Sequence, residues 1–167
     1  FMNGVPIQEV ESHKHLGVTF ENDGSWHEHI SSIKAKAWQR VNIMRSFKFV
    51  LDRKSLEKIY ITFIRPILEY SGAVWDNITL QQEYELEKIQ IEALRIISGT
   101  TKLVSLHNLY KETCFQPLKE RRRKQRLTIF CKMSNDLTPS YLSSLVPNLV
   151  GDNTTYNLRN ADDFIYI

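Results

Sequence analysis

The sequence predicts a mainly α-helical protein in which a short N-terminal β-hairpin is followed by an α-helical bundle. Turn dipeptides and alternating β-branched residues dominate the first 24 positions. After Gly24 the spacing of apolar residues changes from a period of 2 to about 3.6, which is the period of an α-helix. The 167 residues are 42% hydrophobic and 25% charged, an ordinary globular composition that allows a buried core.

Two short strands are predicted before the helices begin. Asn3-Gly4 is a strong turn dipeptide. The run 16–20 is alternating and β-branched, which favours a strand. Asn22-Asp23-Gly24 then closes this strand as a second turn.

The first two helices are predicted from their caps and apolar faces. Ser25 and Glu28 have the spacing of a capping box that opens the first helix. Asp52 is predicted to cap the second helix, and Pro66 to kink or stop it, because proline lacks an amide hydrogen. The buried face of the first helix is predicted to hold Ile30, Ile33, Ala37, Val41 and Met44. That of the second helix is predicted to hold Leu56, Ile59, Tyr60, Phe63 and Ile64.

Three further helices are predicted after Trp75. Thr79 starts the third helix, and Gly99 suits the position just after its last turn. A shorter helix is predicted over 105–112. Pro117 suits the first position of a fifth helix, which runs to about Ser134. The apolar stripe of the third helix is Leu86, Ile89, Ala93, Ile96 and Ile97. Pro139, Pro147 and Gly151 break up the remainder.

The charge is mild overall but locally dense. Lys and Arg number 22 against 19 Asp and Glu, a net charge of +3 that by itself does not indicate nucleic-acid binding. Residues 119–126, however, contain six basic residues and one acid. They predict either phosphate contacts that weaken with salt or a solvated helix face paired with acids such as Glu83, Glu85 and Glu87.

Metal and catalytic sites are not predicted in this segment. His27 and His29 are two residues apart and point to different faces of a helix, and no cysteine completes a set with His13 and His15. Asp162-Asp163 lies in a polar tail and is interpreted as surface acids, not as polymerase metal ligands. The tryptophans Trp26, Trp38 and Trp75 are interpreted as core residues in preference to base-stacking platforms.

Cysteine content and hydropathy predict an intracellular protein, in the nucleus or cytoplasm, that is neither secreted nor in a membrane. Cys114 and Cys131 alone form no disulfide framework or zinc site. The sequence has no signal peptide, and no apolar run reaches the roughly 18 residues that cross a bilayer. Phe1 in place of an initiator methionine and the apolar run 164–167 predict a piece of a longer protein.

Eight short sequence elements lie in order along the chain. They are His15-Leu16-Gly17-Val18; Trp26 with His29-Ile30; Tyr60 with Phe63-Ile64-Arg65-Pro66-Ile67-Leu68-Glu69-Tyr70; Val74-Trp75; Leu86-Glu87-Lys88-Ile89-Gln90; Arg121-Arg122; Pro139-Ser140-Tyr141-Leu142; and Asn157-Leu158-Arg159. Their order and spacing resemble the C-terminal part of the reverse transcriptases of non-LTR (LINE-like) retrotransposons, after the catalytic motif. His15 stands where that family usually has tyrosine.

The resemblance implies a division into four regions. Residues 1–24 would be the end of the palm, with a hairpin that grips the primer through His15, Leu16 and Gly17. Residues 25–99 would be the helical thumb and 100–150 a basic helical region after the thumb. Residues 151–167 would be a flexible, truncated tail. The Tyr-x-Asp-Asp metal motif would lie upstream of Phe1.

The resemblance also implies a function without bond making in this segment. The chain would be a fragment of an RNA-directed DNA polymerase that positions the template–primer duplex, lacks the catalytic aspartates and is inactive alone. It would have no cofactor of its own, whereas the full-length enzyme would use a divalent metal, magnesium. Its partners would be an RNA–DNA or other nucleic-acid duplex and the upstream palm and fingers of the same polyprotein.

Charge and position together predict the residues that contact nucleic acid. In the first helix they are Lys34, Lys36 and Arg40. In the basic helix they are Arg121, Arg122, Arg123 and Arg126. Two alternatives are a non-catalytic nucleic-acid-binding helical module and a helical protein-interaction domain.

Overall fold

Residues 9–148 are described in a computed structural model of the chain. Over these residues a two-stranded antiparallel hairpin is followed by helices, which confirms the predicted fold class. The chain divides into two compact units, one ending at Arg123 and the other beginning at Lys124. This boundary lies inside the range predicted as the region after the thumb.

The hairpin pairs β1 (Ser12–His15) with β2 (Val18–Glu21). His15 is opposite Val18, so the loop consists of Leu16 and Gly17 alone. Both loop residues have positive φ, 46° and 87°, as the favoured two-residue hairpin turns require. The prediction that the strand includes Leu16 and Gly17 is therefore wrong, because these residues form the turn. The turn predicted at Asn3-Gly4 lies outside the described residues.

Helix α1 (His27–Ser46) begins with a cap that the sequence did not predict. Ser25 does not cap it: the Ser25 hydroxyl donates to the Glu21 carboxylate over 2.9 Å. The other Glu21 oxygen accepts the backbone N–H of Glu28, also at 2.9 Å. A carboxylate from the end of β2 thus replaces the predicted capping box and lies at the positive end of the helix dipole. The predicted buried face of α1 is confirmed at all five positions.

The second helical run passes through Pro66 without stopping. Helix α2 (Arg53–Ile59) follows Asp52, which holds the predicted N-cap position. The run then widens into a π-helical turn (Tyr60–Ile64) and continues as α3 (Arg65–Glu69). Proline has no amide to donate to the preceding turn, and π turns commonly accommodate such interruptions within helices.

The π turn changes which residues of this run are buried. Tyr60, Ile64 and Leu68 have no exposed surface, whereas Phe63 is 57% exposed. The prediction that Phe63 is buried is therefore wrong, because it assumed regular α-helical spacing through the turn. A short helix, α4 (Gly72–Trp75), follows and carries the fully buried Trp75.

The remaining helices match their predicted ends closely. Helix α5 (Leu80–Ser98) starts at a capping box between Thr79 and Gln82 and ends at Gly99, whose φ is 70°. Its predicted apolar stripe is buried throughout. Helix α6 (Leu106–Thr113) is capped by the Ser105 hydroxyl. Helix α7 (Leu118–Ser134) follows Pro117, and a short helix that was not predicted, α8, spans Ser140–Ser143.

The core of the first unit lies between α1, the second helical run and α5, and it contains polar groups. The Gln90 side chain is fully buried. It accepts a hydrogen bond from the Tyr60 hydroxyl and donates to Glu87 and to the Gln116 carbonyl, both at 3.0 Å. Burial raises the pKa of the Glu87 carboxyl and of the Tyr60 hydroxyl. This network fixes the register between the π-helical turn, α5 and the segment before α7.

Two sequence features fall outside this description. The predicted tail 151–167, with Asp162-Asp163 and the last of the eight elements, lies beyond residue 148.

Among residues 9–148, no helix combines the length and the apolar character needed to cross a bilayer.

Replacing Tyr60 by Phe tests the buried network. We expect Y60F to lower the free energy of unfolding by about 1–3 kcal/mol, because the Gln90 amide oxygen loses its donor while it remains buried. Urea denaturation followed by circular dichroism measures the change. Y60F combined with Gln90→Leu should cost less than the sum of the single changes, and strict additivity would show that the two side chains are not coupled.

Candidate nucleic-acid interface

All but the first two residues of helix α1 lie in the longest stretch of the chain that contains no acid. Residues 29–51 have no Asp or Glu and five basic residues: Lys34, Lys36, Arg40, Arg45 and Lys48. This acid-free stretch can be seen in the sequence, but its basic residues are spaced more widely than those of residues 119–126. An unopposed basic stretch on a rigid helix is a candidate surface for a polyanion.

The predicted residues of α1 differ in whether their charge is neutralised. Lys34 forms an ion pair with Glu85 of α5, and this hydrogen bond lowers the pKa of the Glu85 carboxyl. Lys36 and Arg40 are exposed and form no salt bridge or hydrogen bond with the rest of residues 9–148. They are four residues apart, so they lie on one face of the helix, about 6 Å apart along its axis. We call Ser32, Lys36 and Arg40 the outer face of α1.

The hairpin turn lies beside this outer face and is held by Tyr70. The Tyr70 hydroxyl donates to the Leu16 carbonyl over 2.8 Å. A Cβ added to Gly17 would lie 3.3 Å from the Tyr70 ring, so this close approach, like the positive φ, favours glycine. Gly17 and Tyr70, together with Lys14 and Lys36, line a cavity of about 350 Å³.

The three residues predicted to grip the primer are at the exposed end of the hairpin. His15 is exposed, and its ring stacks on that of His13 with the centroids 6.5 Å apart. The Leu16 side chain is 77% exposed at the tip of the turn. Gly17 contributes backbone only and faces the Tyr70 ring. The turn is thus fixed by its backbone, while its side chains remain accessible.

His29 joins the hairpin to α1 through its ring. Its Nδ1 accepts the backbone N–H of Thr19 at 3.3 Å, and its ring meets Trp26 and Trp75 edge-on. The neutral ring therefore carries its hydrogen on Nε2, which is buried without a partner among residues 9–148. Burial lowers the pKa of His29. In this part of the chain no group of three or more His, Cys, Asp or Glu residues could hold a metal ion.

Two of the arginines predicted in the basic helix are engaged inside the first unit. Arg121 forms a two-pronged ion pair with Glu69, which raises the pKa of Arg121. Arg122 is only 1% exposed. Its Nε donates to Asp76 over 2.7 Å, and its guanidinium lies 5.7 Å from the Trp75 ring centre. A phosphate could reach Arg122 only if the ion pair with Asp76 opened.

Residues 119–126 pair in part with the acids that the alternative of a solvated helix face named. Lys119 pairs with Glu83 at 3.3 Å, as that alternative expected. Glu85 pairs with Lys34 of α1 instead. Glu87 accepts the Leu118 backbone N–H at 2.9 Å and so holds the first residue of α7.

The last two predicted arginines are exposed. Arg123 lies 3.9 Å from Glu120, a weak pair on the same helix. Arg126 belongs to the second compact unit. Of the seven predicted nucleic-acid contacts, Lys36, Arg40, Arg123 and Arg126 present exposed side chains.

The three tryptophans, which were interpreted as core residues, are buried to different degrees. Trp75 is fully buried and donates its indole N–H to the Tyr70 carbonyl over 2.8 Å. Trp26 is partly buried against Phe20, and Trp38 is partly buried against the core.

One group of cations was missed by the sequence analysis. Arg45, in the last turn of α1, and Lys48, just after it, line the same cavity as Arg95 and Lys102, which come from the end of α5 and the turn after it. We call the cavity that these four residues line the basic pocket. No local pattern predicts it, because its two halves are about 50 residues apart in the sequence.

No protein-family model, curated protein or solved structure gives a significant match to this chain. The resemblance to non-LTR reverse transcriptases therefore rests on the eight sequence elements.

Exchanging Arg122 for leucine should destabilise the fold strongly. We expect a loss of about 3–5 kcal/mol in the free energy of unfolding, because the largely buried Asp76 carboxylate would lose its main counter-charge. Urea denaturation measures the loss. Arg123→Leu is the matched control: its side chain is exposed one residue along, so its cost should stay within about 0.5 kcal/mol. Similar losses in both variants would contradict the structural role of Arg122.

Acidification should weaken the fold through His29. The pKa of His29 is lower in the folded state than its ordinary value of about 6.5, so the unfolded state binds the proton more readily. The contribution of His29 to stability is therefore full above about pH 6.5 and falls as the pH decreases through that value. Denaturation between pH 7.5 and 5 should show a steeper loss in the natural protein than in His29→Gln. Parallel profiles would contradict this prediction.

Proposed function

We propose that this chain is part of the RNA-directed DNA polymerase of a non-LTR retrotransposon and that it holds the template–primer duplex without making bonds. The observation that carries the proposal is the outer face of α1. There Lys36 and Arg40 stand exposed and unpaired within residues 9–148, on a helix whose exposed surface from Ser31 to Ser46 has no acid. The anchored hairpin turn lies next to this face.

Contacts between the resembling elements give the proposal further support. Elements that are distant in the sequence meet through side chains that the resemblance itself selected. The contacts are Tyr70 with Leu16, Glu69 with Arg121, Trp75 with Arg122, and Tyr60 with Gln90. Residues that form one structural unit are expected to pack on one another. Residues that match the family only by chance need not be in contact.

The outer face of α1 suits a duplex that is recognised by its shape. Lys36 and Arg40 are about 6 Å apart along the helix, close to two steps of about 3.4 Å along one nucleic-acid strand. Such cations contact phosphates, which carry no sequence information. An RNA–DNA hybrid is bound largely through its backbone and groove shape. Sequence-independent binding is what a polymerase needs from the region that holds its product.

The contribution to catalysis is positional. Phosphoryl transfer requires bound divalent metals and an in-line arrangement of the reacting groups. Residues 9–148 offer no ligand set for such metals, so the magnesium ions would be held by the upstream palm. A fixed duplex keeps the primer end aligned, and alignment of this kind lowers the entropic part of the barrier.

Charge neutralisation on the outer face tests the proposal. We expect Lys36→Gln with Arg40→Gln to weaken binding to a labelled RNA–DNA hybrid and to lower the salt slope by about 0.9 for each phosphate that is no longer neutralised. Fluorescence anisotropy across a salt series measures both. Lys34→Gln is the control for each of the two charges, because it removes one positive charge from the same helix at a position already paired with Glu85.

The outcomes separate the proposal from its alternatives. Equal effects of the Lys34 variant and of the double variant would contradict the outer face as the contact. No binding at low salt by folded protein would favour a helical protein-interaction domain. If binding follows the prediction but the double variant leaves primer extension by the full-length polymerase unchanged, the chain is a nucleic-acid-binding module without a role in synthesis.

A further inference from the structure

The basic pocket combines an excess of positive charge with a concave shape. Its volume is about 400 Å³, and its walls come from the end of α1 and from the end of α5 with the following turn. Among residues 9–148, Glu92 is the only acid that lines it, and this acid pairs with Arg45 over 2.9 Å. Lys48, Arg95 and Lys102 then remain without an ion pair among residues 9–148.

Arg95 has an unmet hydrogen-bonding requirement. Its Nε is buried and has no acceptor among the described residues. Leaving a buried donor without a partner costs free energy, and for a charged group this cost is larger. The Nε itself is closed to the pocket, but an anion bound there would supply the counter-charge that the partly buried Arg95 lacks among residues 9–148.

An exposed aromatic ring lies at the same pocket. Phe49 lines the cavity and is 91% exposed, and the Lys48 ammonium lies 5.6 Å from its ring centre. An aromatic ring in water leaves its apolar faces without contacts, whereas a flat partner would cover one of them. The cations and the ring therefore favour a ligand that has both an anionic group and a planar apolar group.

Single-stranded nucleic acid supplies these two groups together. We propose that the basic pocket binds a single strand, with one unpaired base stacked on Phe49 and the adjoining phosphate held by Lys48, Arg95 and Lys102. In a duplex the faces of internal bases are already stacked on one another, so Phe49 could not reach them. An acidic peptide would satisfy the cations but would leave the Phe49 ring uncovered.

The basic pocket is distinct from the outer face of α1. Arg45 follows Lys36 by nine residues, which corresponds to about 180° around a helix at 3.6 residues per turn. The two surfaces therefore lie on opposite sides of α1 and can be altered separately. The assignment of the basic pocket goes beyond the proposed duplex contact and does not depend on it.

The experiment compares strands with and without bases. Binding of the full chain to a labelled ten-nucleotide oligothymidylate is measured by fluorescence anisotropy beside an abasic strand of equal length. Phe49→Ala should weaken binding to oligothymidylate about tenfold, which corresponds to about 1.4 kcal/mol of stacking, and should leave binding to the abasic strand unchanged. Phe49→Trp should retain the binding. Val50→Ala, a neighbouring exposed apolar side chain, should have no effect.

A second variant tests the phosphate contacts. Lys48→Gln with Lys102→Gln should weaken binding to both strands and reduce the salt slope by about 0.7 for each contact, the value for single strands. Thermal melting should show an unchanged midpoint for Phe49→Ala, because the ring is exposed.

Three results would overturn the inference. Phe49→Ala could affect both strands equally or neither, which would exclude base stacking. The lysine variant could leave the salt slope unchanged, which would exclude the phosphate contact. Oligoglutamate could compete as well as oligothymidylate, which would identify an acidic protein partner. The Lys36 and Arg40 variant should keep its affinity for oligothymidylate, so failure of the duplex proposal would be seen separately.

Discussion

The buried charge of Arg122 is the constraint on which the first compact unit depends. A guanidinium that is 1% exposed is tolerated because Asp76 neutralises it and the Trp75 ring offers its electron-rich face. Trp75 in turn contacts His29, whose Nδ1 accepts the Thr19 N–H from the hairpin. The start of α7 is thereby linked through one buried tryptophan to α1 and to the β-hairpin.

This linkage gives part of the basic stretch 119–126 a structural role. Acids neutralise Lys119, Arg122 and Arg121 from 36, 46 and 52 residues away in the sequence. Much of the densest charge in the chain thus holds helices together. The cations left for a polyanion include those of α1 after Glu28. Residues 29–51 contain no acid, and of the cations of α1 only Lys34 and Arg45 form an ion pair with α5 within residues 9–148.

Helix α1 therefore has a different role on each side. Its buried face packs on α5 and on the second helical run, and its first turn is held by Glu21 of the hairpin. Its outer face carries unpaired charge, and its last turn contributes to the basic pocket. A helix fixed at its N-terminus and along one side presents its remaining cations in a defined geometry, which favours recognition of regularly spaced phosphates over diffuse attraction.

The sequence by itself determined the elements: the apolar stripes of α1 and α5, the helix that starts at Thr79 and ends at Gly99, the short helix after Ser105, and the helix after Pro117. These depend on residues a few positions apart, so helical periodicity and capping chemistry suffice to predict them. Only the tertiary structure decided that Glu21 caps α1, that the π turn exposes Phe63, that Arg122 is buried and that Arg95 and Lys102 meet Lys48. Each of these outcomes depends on a partner distant in the sequence or on irregular helix geometry, and a local pattern contains neither.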